Sequence, residues 1–410
     1  MYNGEKIIAF AEKNKPIIWG LFLSTIIFRH AIANVFLAIL LAIFFIQVFQ
    51  NRRIYLNKNL IPVVIYFLWG MASLIWTTDF QTTIKGIGIT LPLVLTPVFI
   101  SQYSYFGSDD LKKTIKIFSV GLVLYFLVCA LNAGILFMED NQYNHFFYHN
   151  LVMLFDNNAI YISLAAATCI LFILNVPIKK ASDYLLLFFL SVFLLVLASK
   201  NLIITTFLLI GLSLFKNKNK LKTGAIISTF LMLTFLGILL SENPIKERFQ
   251  EELNWNPNHV LTGQDFYDYK FNGIEVRLFQ WRLMGEMISN HQVGILGLGL
   301  HNVDYLLDQY FSYYNLYKGY FQINFHNQFL QTIGEIGFIG LGLLLSIFAR
   351  AIYVAIKSGN KYETFFVLLF LSSFFTESFL SRQKGVILFA TLVSLILSFQ
   401  KEKTQMELNL

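Results

Sequence analysis

Charge is what this chain has least of: 13% of its 410 residues are Asp, Glu, Lys or Arg, where a soluble globular domain carries about 25%. An ordinary soluble enzyme is thereby excluded. Cysteine is nearly absent as well. Cys129 and Cys169 both fall inside apolar runs, so there is neither a disulfide framework nor a Cys/His zinc spacing. No Asp-x-Asp and no His-Glu-x-x-His occurs anywhere, which leaves metal-dependent, nucleotide-sugar-using transfer without its usual carboxylates. Gly294, Gly297 and Gly299 resemble a phosphate-cradling loop only superficially, because no Lys-Ser/Thr follows them and no buried strand precedes them.

What the chain does have is apolar length. Hydrophobic residues make up 56% and aromatics 17%, and the mean hydropathy is +0.61. Runs long enough to cross roughly 30 Å of hydrocarbon recur about twelve times, near 16–28, 32–49, 60–76, 84–100, 115–137, 159–175, 183–198, 202–215, 223–240, 328–349, 362–378 and 385–399. The expected fold is an all-α integral membrane protein of about twelve transmembrane helices, several of them tilted or broken because their runs are short. Residues 1–240 hold nine spans, 241–325 form one large helical loop, and 326–410 hold three spans and a tail. The first span lacks a small-residue cleavage site and reads as retained.

The excess of 31 basic over 24 acidic side chains does not point to nucleic acid, since in a membrane protein the position of each cation matters more than the sum. Every connection on the N-terminal side of the membrane carries at least two Lys or Arg, which places both termini in the cytoplasm and 241–325 outside. Arg29, Lys85, Lys200, Arg382 and Lys384 run against this bias on short outer connections. Such residues either snorkel to head groups or line a pocket for an anion. Within the loop, 275–288 and 302–314 have helical spacing. The first puts Arg277 and Trp281 on one face, and pairs Arg282 with Glu286 as a plain surface ion pair outside any site. The aromatic run from Tyr305 to Tyr320 reads mainly as an interface belt and loop core.

The stretch opening the tenth span is the most informative: His326-Asn327, nine residues, then Gly337-x-x-Gly340. It resembles the H-[NSQ]-x9-G-x-x-G signature of the O-antigen ligase family, which belongs with the O-antigen polymerases in one superfamily of membrane glycosyltransferases. Arg277-x3-Trp281 followed by Gly297-x-Gly299 is similar to the family segment that precedes the histidine. Tyr148-His149 through Asn157-Asn158 to Tyr161, and Thr376-Glu377 through Arg382-Gln383-Lys384-Gly385, look like two further segments in the same order. One departure is Ser199-Lys200, where such ligases often show Ser-Arg; lysine keeps the charge and loses the bidentate fork.

The resemblance implies a GT-C-like bacterial inner-membrane enzyme with a periplasmic active site. It would move a glycan from undecaprenyl pyrophosphate to a sugar of a lipid A-core acceptor, without metal or cofactor. The lipid pyrophosphate is already an activated leaving group, so the protein must supply a base and neutralising charge. On that reading His326 is the catalytic base, and Arg277, Lys200, Arg382, Trp281, Asn327 and Glu377 bind substrate. The plain alternatives are an interfacial histidine hydrogen-bonded to the loop, an Arg277 paired with Glu275, a Glu377 paired with Arg382, and a Trp281 that only packs. Glu335, inside the tenth span, either orients His326 or holds the bundle together. Alternative functions are a polymerase of the same superfamily, differing in acceptor, and a polysaccharide flippase, which would be expected to carry ionisable residues through the middle of its spans.

The orientation is testable with single cysteines in a background lacking Cys129 and Cys169. A cysteine at Asn256 should react with a membrane-impermeant maleimide and one within 216–222 should not; the opposite pattern reverses the topology.

Overall fold

The computed structural model of the chain describes residues 2–28, 30–103, 106–176, 179–215, 255–358 and 361–398, with isolated positions between 229 and 250. The span expected near 223–240, the connection 216–222, the loop start at 241–254, Arg29 and the tail beyond 398 lie outside the described residues. Among the described residues every regular element is a helix. The first half comprises α1 (Tyr2–Ile26), α2 (His30–Asn51), α3 (Ile61–Ala72), α4 (Phe80–Thr90), α5 (Pro92–Ile100), α6 (Ser108–Asp140), α7 (Tyr148–Val152) and α8 (Ala159–Asn175). Then come α9 (Ala181–Val196), α10 (Lys200–Phe215), α11 (Pro257–Thr262), α12 (Gly273–Ser289), α13 (Val303–Tyr313), α14 (Gln328–Ser358), α15 (Lys361–Phe374) and α16 (Gln383–Ser398).

Among the described residues five helices are long and apolar enough to cross a membrane, and six if the bent pair Tyr148–Phe155 and Ala159–Asn175, at 93° to one another, makes one span. That is fewer than the hydropathy runs suggested, because several of those runs fold as helices of 14 to 17 residues. Such lengths fall short of the roughly 20 residues a straight crossing needs. The short helices are nevertheless central. All of α8 except Leu174 is buried, as is α16 from Lys384 to Ser398, and a helix apolar on every side is one surrounded by others. α15 packs on both α8 and α14, while α16 packs on α5.

The helices expected at 275–288 and 302–314 are present as α12 and α13. With α11 they form a cap around a second core of Phe266, Phe279, Leu283, Leu307, Phe311 and Phe325, all at most 1% exposed. Arg282 departs from its expected place on the surface. Its side chain is 10% exposed; besides Glu286 at 2.7 Å it donates to the carbonyls of Val260 and Gly263 and to the Tyr314 hydroxyl. The chain before α12 folds back over this face of the helix, which i, i+4 spacing alone does not reveal.

The cap is fixed to the bundle by backbone. α14 is broken at Ile336 and Gly337, where Gly337 has φ 73° and ψ −173°. Segment 294–299 lies in the break: Leu298 and Gly299 donate to the carbonyls of Gly334 and Glu335, and Phe338 and Ile339 donate to those of Gly294 and Ile295. The Trp69 and Trp76 indoles bond the carbonyls of Ile336 and Leu296, both at 3.0 Å. The glycines serve this close approach. A Cβ on Gly337 would stand 2.0 Å from the Ile295 oxygen, and one on Gly297 2.6 Å from the Glu335 oxygen.

Gly337→Ala should therefore cost more than the roughly 1–3 kcal/mol of left-handed backbone strain alone, whereas Gly342→Ala, with nothing within 4 Å of its new methyl, should be neutral. Thermal unfolding in detergent compares them; equal melting temperatures would remove the backbone dock as a stabilising feature.

Candidate functional site

His326 lies in the turn between the cap and α14, and its backbone is itself unusual: φ is 45°, left-handed for a non-glycine residue. Three neighbours hold the turn. The Asn324 side chain accepts from the His326 amide at 3.0 Å, and Gln280 of α12 donates to the Asn324 carbonyl at 2.7 Å. Gln331, one turn into α14, accepts from the Phe325 amide at 3.1 Å. The ring is thus placed by the cap and by α14 together.

Nδ1 of His326 is buried and stands 3.5 Å from Oε2 of Glu377, while the ring as a whole is 30% exposed. The accessible side of the ring is therefore the side of Nε2. Glu377, 2% exposed, comes from the turn after α15. Burial works to raise its pKa, but His326, Arg277 and Arg382 prevail and hold the carboxyl below its ordinary value. It remains an ionised partner for the imidazole.

Arg277 reaches the same turn from the cap. Its Nε donates to the Thr376 carbonyl at 3.3 Å and its Nη1 to the Gly273 carbonyl at 2.6 Å, so two backbone oxygens aim the guanidinium. Glu275 is not its partner. That carboxylate accepts from the Tyr269 hydroxyl and from the amides of Asn256 and Asn272. Asn201, next to Lys200, donates to the Ser372 carbonyl and the Thr376 hydroxyl, which brings the start of α10 to the same turn.

Residues 185–345 match the family model described as O-antigen ligase. The chain carries an O-antigen ligase family domain. No curated protein matches the chain. The matched segment holds Lys200, Arg277, Trp281, His326 and Asn327 of the sequence-derived site, and the glycines Gly297, Gly299, Gly337 and Gly340. Glu377 and Arg382 lie beyond it in sequence, and the fold brings the first directly onto the histidine of the O-antigen ligase domain.

The sequence-derived residues occupy different positions around this turn. Trp281 is 43% exposed on α12, one turn beyond Arg277. Arg382 is exposed and makes no ion pair among the described residues, so the side chain close to the Glu377 carboxylate is the His326 ring and not Arg382. Asn327 is 3% exposed; its side-chain oxygen caps α14 through the amides of Phe329 and Leu330, and its amide faces the Phe375 carbonyl at 3.4 Å. Its side chain is spent on holding the histidine turn to the Glu377 turn.

Three features escaped the sequence reading. Lys384, one of the outer cations, is buried and donates to the carbonyls of Phe155 and Asp156 and to the Asn157 side chain, so it ties α16 to the start of α8 and is no head-group anchor. Tyr161 packs 4.5 Å from Phe379 with its hydroxyl buried and unpartnered among the described residues. Gln331, finally, donates both to Asp304 of α13 at 2.9 Å and to Glu335 at 2.8 Å. Among the described residues, Glu335 is linked to the histidine turn through Gln331. Burial and the neighbouring Glu335 push the Asp304 carboxyl up to about 6. Apart from Gln331 and Glu335, which stand one turn apart in α14, these contacts join residues far apart in sequence, and no periodic pattern marks them.

A depressed carboxyl pKa stabilises the fold above its unfolded value and ceases to do so as pH falls through the folded one. The advantage of the wild type over Glu377→Gln should accordingly be full at neutral pH and shrink on acidification below the ordinary 4.5. Melting temperatures of both proteins across that range check it; a difference independent of pH would mean that Glu377 is not ionised in the fold.

Proposed function

We propose that this protein is a metal-independent O-antigen ligase, transferring a polysaccharide from undecaprenyl pyrophosphate to a sugar hydroxyl of a lipid A-core acceptor on the periplasmic face of a bacterial inner membrane. The reading takes 241–325 as the periplasmic loop and the bundle as a twelve-span, GT-C-like fold. The observation that carries it is the His326–Glu377 pair beneath Arg277. A buried carboxylate against Nδ1 fixes the tautomer and stabilises the imidazolium, leaving Nε2 to act as base. Nε2 takes the proton of the acceptor hydroxyl as its oxygen attacks the anomeric carbon. The bond from that carbon to the pyrophosphate oxygen breaks, and the electron pair leaves with the lipid pyrophosphate. Arg277, Lys200 and Arg382 neutralise the departing anion, and exposed Trp281 offers a stacking plane for a sugar. Asn327 acts by positioning.

The activity is checked by steady-state transfer from purified lipid-linked glycan to core lipid. His326→Ala should bind donor and lose about 10²- to 10⁴-fold in rate; near wild-type transfer would end its assignment as base. Arg277→Lys should be severely impaired, because an ammonium cannot span two phosphate oxygens, while Lys200→Arg retains activity that Lys200→Ala loses. Transfer should also survive EDTA, and a chelator-sensitive reaction restored by magnesium or manganese would overturn the metal-independent step. In a gene-deletion host, core lipid without polymer alongside polymer still on undecaprenyl pyrophosphate marks a ligase, whereas core capped with a single repeat marks a polymerase.

A further inference from the structure

At the end of the bundle away from His326, a cavity of about 410 Å³ opens where α6 begins, α8 ends and α9 begins. α8 starts beside Asn157, which Lys384 holds at the histidine end; Phe172 and Ile173 lie about 20 Å further along its axis. The rim is basic. Asp109, Lys112, Lys113 and Lys116 recur at the spacing that puts them on one face of α6, and Lys180 joins them from the residue before α9. Two of these cations are already partnered: Lys112 meets Asp109 at 2.8 Å, and Lys116 meets Asp183 at 2.6 Å. Lys113 makes no ion pair or hydrogen bond among the described residues, and the rim as a whole carries more positive than negative charge. Phe172, Ile173 and Val176 of the α8 end form an apolar floor.

A positive rim over an apolar floor, at the end of membrane helices, matches a molecule with a negative head and a hydrocarbon tail. A free anion would gain nothing from the floor, and a zwitterionic lipid would bring an ammonium against the lysines. We infer that this cavity binds an anionic phospholipid, its phosphate between Lys113 and Lys180 and an acyl chain along Phe172, Ile173 and Val176. Basic pockets between membrane helices recognise anionic head groups in this way. On the orientation read from the cations, the cavity faces the cytoplasmic leaflet, whose surface is anionic. The inference does not depend on glycosyl transfer.

Native mass spectrometry of the full chain from detergent tests it, with phosphatidylglycerol, phosphatidylcholine of the same acyl chains, and inorganic phosphate as probes. Phosphatidylglycerol should be retained at low molar ratio and phosphatidylcholine lost. The double substitution Lys113→Gln with Lys180→Gln should weaken retention on the order of 20-fold, at the scale of two surface lysines. Asp109→Asn should strengthen it by freeing Lys112, and phosphate should not displace the lipid. Equal retention of both lipids, or a double variant that holds phosphatidylglycerol as well as the wild type, overturns the proposal. Displacement by inorganic phosphate overturns it too, in favour of a soluble-anion site.

Discussion

A membrane helix broken part-way along its length releases backbone groups that hydrocarbon cannot solvate, and the way this chain meets that constraint decides where the rest of the site sits. The break in α14 is filled by segment 294–299, whose amides and carbonyls replace the lost helical bonds, and two tryptophan indoles close it from α3 and the turn after it. Because that segment follows directly on α12, docking it also fixes the cap helix over the bundle. Arg277 then reaches the turn after α15, and Gln280 reaches the turn that carries His326.

At that junction the electrostatics depend on one carboxylate. Glu377 is buried deeply enough that its charge would be costly alone, and it stays ionised because His326, Arg277 and Arg382 surround it. The dependence runs both ways. Without the carboxylate, the buried Nδ1 of His326 would lose the acid group 3.5 Å away, and Arg277 would lose a favourable charge and keep its two backbone oxygens. The site is best regarded as a single charge group assembled from the cap, the turn before α14 and the turn after α15.

Much of this was legible in the sequence. The apolar runs located the helices, the 275–288 and 302–314 patterns located α12 and α13, and the His326 to Gly340 spacing pointed to the family whose domain residues 185–345 carry. The limits were physical. Hydropathy reports how apolar a run is and not how long its helix is or what surrounds it, so it did not show that α8 and α16 are short and buried among other helices. The break at Gly337 was invisible because one glycine in an apolar run costs little on any hydropathy scale; only the approach of Ile295 shows why no side chain fits there. Pairing of His326 with Glu377 joins residues 51 apart in sequence, beyond any periodic signal, and the same holds for Lys384 on the turn at Phe155. Arg282 was misplaced because its i, i+4 partner explained it too readily.

The link through Gln331 has a mechanical consequence. One amide group bonds a carboxylate of the cap and a carboxylate of α14, while its oxygen holds the backbone just before His326. Lifting the cap as a lid would pull on the imidazole and expose unpaired amides in α14 to an apolar surround. The amide of Gln331 and the backbone dock at Gly337 thus both oppose separation of the cap from the bundle, and the turn that carries His326 is held at the point where the two meet.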